Sequence, residues 1–442
     1  MHRSDHDRDD TGAGYVTAIP RLADGQARLD HSPMGPRGER RTLALLILGA
    51  IGLAVIPEVI THLNVKHTPD LSPLQDDTAA SKFPLAHLVS LAGSALLLLL
   101  SSAVVARYGN RGRDVKGLLL FLLAVNLPYV VNPVSPEAGD VVKVVLANAF
   151  IVALWSPGAT ISDLRWVPMS ITVIAAYSLV GGLVLPEYMM YNQHSEKAII
   201  AGWELAGPFG HGNALGMYCG LAFALVPLIK DVRWRILDAS VLFATVVLSA
   251  SRTALVASAL VALWWALCRM RSVVSIRFAG TLLAAVTASA MLVLPFLGWN
   301  PHAFSDRASV WANALAAWQQ SPLFGLGVNW FLTDAQSTAN AASWAYVGTG
   351  HNVVVDTLVK SGVLGAIVLA PVLVAGILAT RAMTVTRQQV ACFGYLVAFF
   401  VTATMEAVWA ILPNLQLFPI SGLIFAVLIM GRRNDPAQEG AS

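Results

Sequence analysis

Charged residues are scarce in this chain of 442 residues, at 12% of the sequence, whereas apolar residues make up 56%. Soluble domains usually carry about a quarter charged residues, so this composition excludes a water-soluble globular fold. The formal net charge of +3 is too small for a protein that binds nucleic acid through a basic surface. We therefore expect a protein embedded in the lipid bilayer, with no nucleic-acid partner.

Cysteine is almost absent, with only Cys219, Cys268 and Cys392, each inside or at the edge of an apolar stretch. Isolated cysteines of this kind form neither a disulfide framework nor a zinc motif. We expect all three to be small core residues. The sequence predicts no metal site and no cofactor.

Long apolar segments are what the sequence has in quantity. A helix needs about 20 apolar residues to cross a hydrocarbon core, and in lipid a helix satisfies its own backbone polar groups. The predicted fold is therefore an all-α polytopic membrane protein of about twelve transmembrane spans, with one larger external loop that bears an interfacial helix. The predicted spans are 42–56, 85–106, 117–133, 138–155, 167–186, 212–229, 236–251, 253–268, 278–297, 351–379, 389–409 and 415–430.

Residues 1–41 are polar, lack the apolar core of a secretion signal and end in the basic cluster Arg37, Arg40 and Arg41. This composition predicts a disordered cytoplasmic tail. Most other Lys and Arg residues between spans then fall on the same side as the tail. The opposite side holds only Lys66, Lys82, Lys197, Arg252 and Arg307. This positive-inside bias predicts the cytoplasmic (inner) membrane, with both termini cytoplasmic.

Residues 236–268 would form one helix about 50 Å long, which is too long for a single crossing. Two crossings keep the basic loops at both ends of this segment on the cytoplasmic side. We therefore predict a tight external hairpin with its turn at Ser249–Thr253. Arg252 is the only charged residue in that turn.

The external loop 298–350 opens with an amphipathic stretch. Ser305 can cap a helix that runs from Asp306 to Gln320. Its apolar residues recur at three- and four-residue intervals: Val310, Trp311, Leu315 and Trp318. This pattern predicts a helix that lies in the membrane interface with its tryptophans at headgroup level.

Lys143, Arg252 and Arg307 are cations on the sparsely charged outer side. Together they suit an anion presented from the membrane, such as the diphosphate of a lipid carrier, because Arg binds phosphate oxygens in a bidentate fork. For each one alone, snorkelling to the interface is an equally good explanation. Arg307 falls in the first turn of its predicted helix, where the helix dipole disfavours a cation, so helix stability does not explain it.

His351 lies at the external start of a long predicted span, where the helix dipole favours a neutral imidazole. A neutral imidazole can take the proton from a sugar hydroxyl that attacks an anomeric carbon, while the arginines hold the diphosphate leaving group. A His-Asn pair at a helix start, such as His351-Asn352, is nevertheless more often a cap than a catalyst. The same two interpretations apply to His211 and Asn213.

Five short motifs occur in a fixed order: Gly210-His211-Gly212-Asn213, Ser249-Ala250-Ser251-Arg252-Thr253, Asp306-Arg307 with Trp311 and Ser321-Pro322-Leu323-Phe324-Gly325-Leu326-Gly327, Gly350-His351-Asn352, and Ser361-Gly362-Val363-Leu364-Gly365. In this order they resemble the bacterial O-antigen ligase and O-antigen polymerase superfamily. The resemblance covers about residues 200–370. It implies that 200–370, with the external loop 298–350, is a catalytic region between an N-terminal bundle (42–199) and C-terminal spans with a short cytoplasmic tail (371–442).

The resemblance implies a metal-independent membrane glycosyltransferase that acts in polysaccharide biosynthesis at the cell envelope. Its donor would be a glycan on undecaprenyl diphosphate, and its acceptor a glycan or glycolipid on the outer face of the cytoplasmic membrane. By motif match, Arg252 and Arg307 would hold the diphosphate and His351 would activate the acceptor hydroxyl. Asn352 and Asp306 would support the site, and His211 and Asn213 would line it. Ligases and polymerases share these motifs, so both activities stay open.

Two other functions compete with this one. A transporter or flippase for a lipid-linked glycan also has many spans, but such proteins commonly show repeated halves, and no repeat is visible here. A metal-dependent transferase would need acidic ligands, for which the loop after the first span offers Glu58, Asp70, Asp76 and Asp77. Charges of this kind in a loop are more often simply solvated.

Overall fold

A computed structural model describes residues 36–64, 66, 83–109, 115–131, 138–192, 197–200, 202–270, 275–332, 348–409 and 416–431. The helices are α1 (Pro36–His62), α2 (Pro84–Tyr108), α3 (Val115–Val131), α4 (Ala138–Trp155), α5 (Trp166–Val184), α6 (Gly212–Leu225), α7 (Val232–Leu248), α8 (Arg252–Arg269), α9 (Ile276–Val293), α10 (Arg307–Trp318), α11 (Val353–Arg381), α12 (Thr386–Met405) and α13 (Gly422–Met430). A further helical turn spans Pro186–Met189, and the short strands β1 (Met190–Asn192) and β2 (Glu204–Leu205) pair antiparallel. The prediction of an all-α polytopic membrane protein is confirmed.

Within the described ranges, seven helices are long and apolar enough to cross a membrane: α1, α2, α5, α8, α9, α11 and α12. Helices α3, α4 and α6 are apolar but shorter. Every predicted span contains a helix, but the lengths and compositions of these helices do not support a count of twelve crossings. Helices α6 and α13 have only 14 and 9 residues, which is short of the length of a full crossing. Each borders a proline-containing 3₁₀ segment that cannot continue the α-helix.

The predicted boundary of the N-terminal tail differs from the structure. Helix α1 begins at Pro36, six residues before the predicted span, and it includes Arg40 and Arg41. Proline suits the first turn of a helix, and Glu39 in that turn interacts favourably with the helix dipole. The prediction of disorder for residues 1–35 lies outside the described residues.

Helix α12 forms the centre of the bundle and packs against α6, α8, α9 and α11. Its aromatic residues Tyr395, Phe399 and Phe400 are fully buried, and Trp264 of α8 donates a hydrogen bond to the carbonyl of Val390. The three cysteines are buried and unbridged, as predicted. Outward positions of peripheral helices carry exposed apolar side chains such as Leu96, Leu99 and Val173, as expected of faces that contact lipid.

The structure confirms that residues 236–268 form two helices, α7 and α8, joined by the turn Ser249–Ser251. Ser251 caps α8 by accepting a hydrogen bond from the backbone N–H of Ala254. The turn packs closely on the start of α6, where a Cβ on Gly216 would collide with Ser249 and Ser251. Glycine at this position therefore lets the hairpin turn reach the start of α6.

Helix α10 forms where the amphipathic pattern predicts it, but two details of that prediction are wrong. Ser305 does not cap the helix; Asp306 precedes α10 in a left-handed conformation and makes no side-chain cap. Trp311 is 1% exposed and packs with Val310, Phe331 and Val355, so protein covers its ring and keeps it from contact with lipid headgroups. Helix α10 packs on α11, which covers this tryptophan.

Helix α11 is broken inside its membrane-spanning length. Gly362 has φ 65° and ψ −164°, which interrupts what the sequence predicts as one continuous span. The segment Ser321–Gly327 inserts at the break. The Leu326 N–H donates to the Val359 carbonyl, the Val363 N–H donates to the Pro322 carbonyl, and the Leu364 N–H donates to the Leu323 carbonyl. These bonds satisfy backbone groups that the break removes from the helix.

We expect Gly362→Ala to lower the stability of the protein by about 1–3 kcal/mol, because only glycine adopts this backbone conformation without strain. The added Cβ would also collide with the Leu323 carbonyl. Gly298→Ala is the matched control, since a Cβ there meets no atom within 4 Å. The measurement is the thermal midpoint of purified protein in nanodiscs; equal midpoints for the two variants would contradict the expectation.

Candidate functional site

Three ionisable side chains from separate elements meet where α10 and α11 begin and α12 ends. Arg307 is the first residue of α10, His351 lies two residues before α11, and Glu406 directly follows α12. Arg307 Nη2 lies 2.5 Å from Glu406 Oε1, and His351 Nδ1 lies 3.4 Å from Glu406 Oε2. Their side chains are between 14% and 24% exposed, so this cluster is sheltered but reachable.

Asn352 fixes the backbone around the cluster. Its fully buried side chain caps α11, with Oδ1 accepting hydrogen bonds from the N–H groups of Val354 and Val355. Its Nδ2 donates to the carbonyls of Met291 in α9 and Thr404 in α12, each at 3.1 Å. One side chain thus joins three helices beside the predicted base.

The turn that carries His351 is also held from within α11. Asp356 Oδ1 accepts a hydrogen bond from the Gly350 N–H at 3.1 Å, while Asp356 Oδ2 lies 2.8 Å from Lys360 Nζ. Both side chains are mostly buried, and the pair lines a cavity of about 50 Å³ with Tyr129 and Trp409. A buried acid is stable beside such a cation, so the pair can hold Gly350 in place.

Backbone strain concentrates around the predicted site residues. The described residues other than glycine with positive φ are Ala250, Phe304, Ser305, Asp306 and His351. Each is either His351 itself or lies within three positions of Arg252 or Arg307. Left-handed conformations cost about 1–3 kcal/mol per residue and cluster at functional sites. Nothing in the sequence signals this strain, because none of the five is glycine.

The guanidinium of Arg307 is oriented by two contacts, and these do not use all of its N–H donors. Its Nη1 donates to the Phe304 carbonyl at 3.3 Å and its Nη2 contacts Glu406. Its Nε is buried and has no hydrogen-bond partner among the residues that the structure describes. A buried N–H without a partner is costly, so this edge of the guanidinium is suited to an anionic ligand.

Arg252 is exposed at the first position of α8, directly after the hairpin turn. Within the described part of the chain it makes no ion pair, so its charge is available to a ligand. The turn is joined to α6 through Gly212 and Gly216, and a Cβ on Gly212 would also approach Glu204. Arg252 therefore belongs to the end of the bundle that also holds His211 and Glu204.

His211 forms a second imidazole–carboxylate pair. It caps α6, with Nδ1 accepting a hydrogen bond from the Asn213 N–H at 3.0 Å, so the cap is His211 and not Asn213. Its Nε2 lies 3.7 Å from Glu204 Oε1, and its ring packs on Tyr191. Because Nδ1 accepts, the proton of the neutral ring sits on Nε2.

Electrostatic effects connect the two pairs. Burial lowers the pKa of His211, and this outweighs Glu204 and Glu406, which raise it; Lys197 and Arg307 lower it further. Burial raises the pKa of Glu406, but the hydrogen bond from His351 and the charges of Arg307, His351 and His211 outweigh burial and lower it. Glu406 is therefore a carboxylate at neutral pH. The surroundings of His211 favour the neutral imidazole.

Two other predicted site residues have surroundings of their own. Lys143 is on α4, whose principal packing partners are α1, α2, α3 and α13. The Asp306 carboxylate lies 2.9 Å from His302 Nδ1, and both side chains are largely exposed. The structure thus groups Arg307, His351 and Asn352 with His211, and it directs Asp306 toward His302.

The acids proposed for a metal site are mostly outside the described residues, namely Asp70, Asp76 and Asp77. Glu58 lies in α1 with Oε2 4.0 Å from His62 Nε2. In the described ranges no group of three His, Cys, Asp or Glu side chains is arranged to hold a metal ion.

Sequence reasoning did not single out Glu406 or Glu204. The signal for Glu406 is visible in retrospect: it is the only acidic residue between Asp356 and Asp435, and it ends a long apolar segment. An acid at such a position is by default a functional candidate. Its partners lie 99 and 55 residues away, so the sequence does not reveal what it contacts.

The model of a protein family described as O-antigen ligase matches residues 239–370. Over these residues the chain is similar to the O-antigen ligase family. The matched region contains Arg252, Arg307, His351 and Asn352, as well as the loop and helix break around Gly362. It begins later than the predicted residue 200, so His211 lies outside it, as does Glu406. No curated protein sequence matches the chain.

Similarity to the O-antigen ligase family points to a glycosyltransferase-type enzyme in polysaccharide biosynthesis, with a lipid-linked glycan and an acceptor as its general partners. The apolar helices and the family together indicate a membrane protein. Four segments of the matched region are therefore candidates for the functional site: the hairpin turn, the start of α10, the inserted loop and the start of α11.

The lowered pKa of His211 predicts a dependence of stability on pH. The unfolded chain binds a proton at His211 more readily than the folded protein, so this residue destabilises the fold as pH drops below about 6.5 toward the lowered folded pKa. We expect His211→Gln to lose less thermal stability than wild type between pH 7.5 and 5.5. Parallel midpoints of the two proteins across this range would contradict the assignment.

Proposed function

We propose that this protein transfers a glycan from undecaprenyl diphosphate to a glycan or glycolipid acceptor on the outer face of the cytoplasmic membrane. One observation carries the proposal most directly. The strained residues of the described structure lie at the segments that carry Arg252, Arg307 and His351, and these segments fall inside the O-antigen ligase match. Strain at all three segments supports a functional site, and the two arginines suit an anion.

In this proposal Arg307 and Arg252 bind the donor diphosphate. The buried Nε–H of Arg307 is the donor that needs an acceptor, and Arg252 is an exposed cation at the edge of the same end of the bundle. Fixed cations stabilise the charge that develops on the leaving diphosphate, so transfer of this kind proceeds without a metal ion. The proposed role of Lys143 rests on the sequence alone.

His351 is the proposed general base. Its Nδ1 faces Glu406, which leaves Nε2 to accept the proton of the acceptor hydroxyl. The hydroxyl oxygen then forms a bond to the anomeric carbon of the donor sugar. The bond between that carbon and the diphosphate oxygen breaks, and its electron pair leaves with undecaprenyl diphosphate.

The proposed orientation follows from charge and from the grouping of helix ends. Helices α8, α10 and α11 begin near the site and α12 ends there. The positive-inside bias assigns this end to the outer face and both termini to the cytoplasm. A topology of twelve crossings, with the shorter helices included, is part of the same proposal.

A transporter or flippase for lipid-linked glycans is the alternative, and the break in α11 favours it. Broken helices near the middle of the membrane are typical of transporters. Here, however, the Ser321–Gly327 segment fills the break with backbone hydrogen bonds. The family match supports the transferase instead.

We expect His351→Ala and Arg307→Ala to lower glycan transfer at least about 100-fold, as removal of a general base or of a charge-stabilising donor does. The test uses cells that lack the protein and are complemented with each variant at matched membrane levels. Surface glycans and undecaprenyl-linked intermediates are profiled together. His302→Ala is the matched control, because His302 is 88% exposed in the same external segment.

The site of accumulation distinguishes the functions. Donor that accumulates on the outer leaflet supports the transferase, with single repeats indicating a polymerase and long chains a ligase. Intermediates held on the inner leaflet would instead indicate a flippase. Full complementation by both His351→Ala and Arg307→Ala would show that the catalytic assignment is wrong.

Lys143→Ala tests the remaining cation. If Lys143 contacts the diphosphate, the variant accumulates donor as Arg252→Ala does. Wild-type glycan levels with Lys143→Ala, together with a defect in Arg252→Ala, would remove Lys143 from the site and leave the rest of the proposal unchanged.

A further inference from the structure

We propose that Glu406 is a positioning residue shared by the donor and acceptor halves of the reaction. It orients Arg307 toward the donor diphosphate and His351 toward the acceptor hydroxyl. This inference rests on the proposed function, since it assigns a role to a residue beside the proposed base.

Each carboxylate oxygen of Glu406 has its own partner, Oε1 contacting Arg307 and Oε2 contacting His351. The carboxylate is 14% exposed and carries its charge at neutral pH. The Glu406 carboxylate thus holds two side chains at once, and both are proposed to act in transfer.

Glu406 is held in place by the end of α12. Its backbone N–H donates to the Thr402 carbonyl, which anchors it to the end of the central helix α12. Asn352 joins the start of α11 to Thr404, two residues before Glu406. These bonds therefore hold the backbone of Glu406 close to that of His351.

Glu406 also orients the guanidinium of Arg307. Glu406 and the Phe304 carbonyl occupy its two Nη groups, which leaves the buried Nε–H without a partner in the described structure. A guanidinium has a rigid planar fork, so fixing its Nη edge also fixes the direction of Nε–H. Glu406 can therefore orient the Nε–H bond of Arg307, which is free to donate to a phosphate oxygen. The phosphate does not need to displace Glu406.

Glu406 also faces Nδ1 of the His351 ring. A carboxylate that accepts from Nδ1 selects the tautomer whose Nε2 is free to take a proton. When Nε2 takes the proton of the acceptor, the new imidazolium lies beside the Glu406 carboxylate, which stabilises it. The present N···O separation of 3.4 Å is long for a hydrogen bond, and catalytic contacts of this kind commonly tighten when substrates bind.

The test compares Glu406→Gln and Glu406→Asp with Glu187→Gln. Glu187 is the matched control because it pairs with Lys66 but is 57% exposed. Turnover is measured with purified protein in nanodiscs supplied with the lipid-linked donor that accumulates in membranes of the deletion strain. Binding of undecaprenyl diphosphate alone is measured in parallel by thermal shift.

We expect Glu406→Gln to lower kcat by about 100-fold or more, as replacing the carboxylate of a histidine pair by an amide does. The Kd for undecaprenyl diphosphate should rise as Arg307 loses its orientation. The acidic limb of the pH–rate profile should move to lower pH, because the imidazolium loses its anion. Glu406→Asp keeps the charge and should recover part of kcat, and His351→Ala should add little to the loss in Glu406→Gln.

The outcomes separate this inference from the proposed function. If His351→Ala and Arg307→Ala are inactive while folded Glu406→Gln keeps the wild-type kcat and pH profile, the role of Glu406 is wrong and the proposed function stands. The role is also wrong if Glu406→Gln only lowers the amount of folded protein, with unchanged activity per folded molecule. Activity in His351→Ala and Arg307→Ala would overturn the proposed function itself.

Discussion

The ion pair between Arg307 and Glu406 is the interaction on which the candidate site depends. Two charges this far from solvent are stable only if they are close and further hydrogen bonded, and removing one partner leaves the other at a cost of about 3–5 kcal/mol. The pair links the start of α10 to the end of α12. Because α12 is the most buried of the seven described helices that are long and apolar enough to cross a membrane, it gives Arg307 and His351 a fixed reference.

Several residues beside this pair adopt left-handed backbone conformations, which lower the local stability of the chain. Phe304, Ser305 and Asp306 precede Arg307 in succession with positive φ, and His351 has φ 46°. Such conformations persist only where the surroundings enforce them. Here Asn352 joins three helices and Asp356 holds the Gly350 N–H, so packing elsewhere maintains the strained segments that present the two ionisable groups.

Sequence reasoning reaches the features that depend on local patterns. Apolar segments predict the helices, and basic loops at both ends predict the α7–α8 hairpin. Motif order brings out Arg307 and His351. The sequence alone does not identify Glu406 or predict the insertion of Ser321–Gly327 at Gly362, because both depend on contacts between residues far apart in the chain. Burial of Trp311 is missed for the same reason: amphipathic periodicity shows a face but not whether lipid or α11 covers it.

The position of the carrier diphosphate tests the central claim most directly. It can be measured by cryo-electron microscopy of the full chain in nanodiscs that contain undecaprenyl diphosphate. The account predicts diphosphate density within hydrogen-bonding distance of Arg307 Nε, with His351 facing the adjacent space and Glu406 still between the two side chains. Diphosphate density elsewhere in the bundle, with the Arg307 Nε edge turned away from it, would contradict the account.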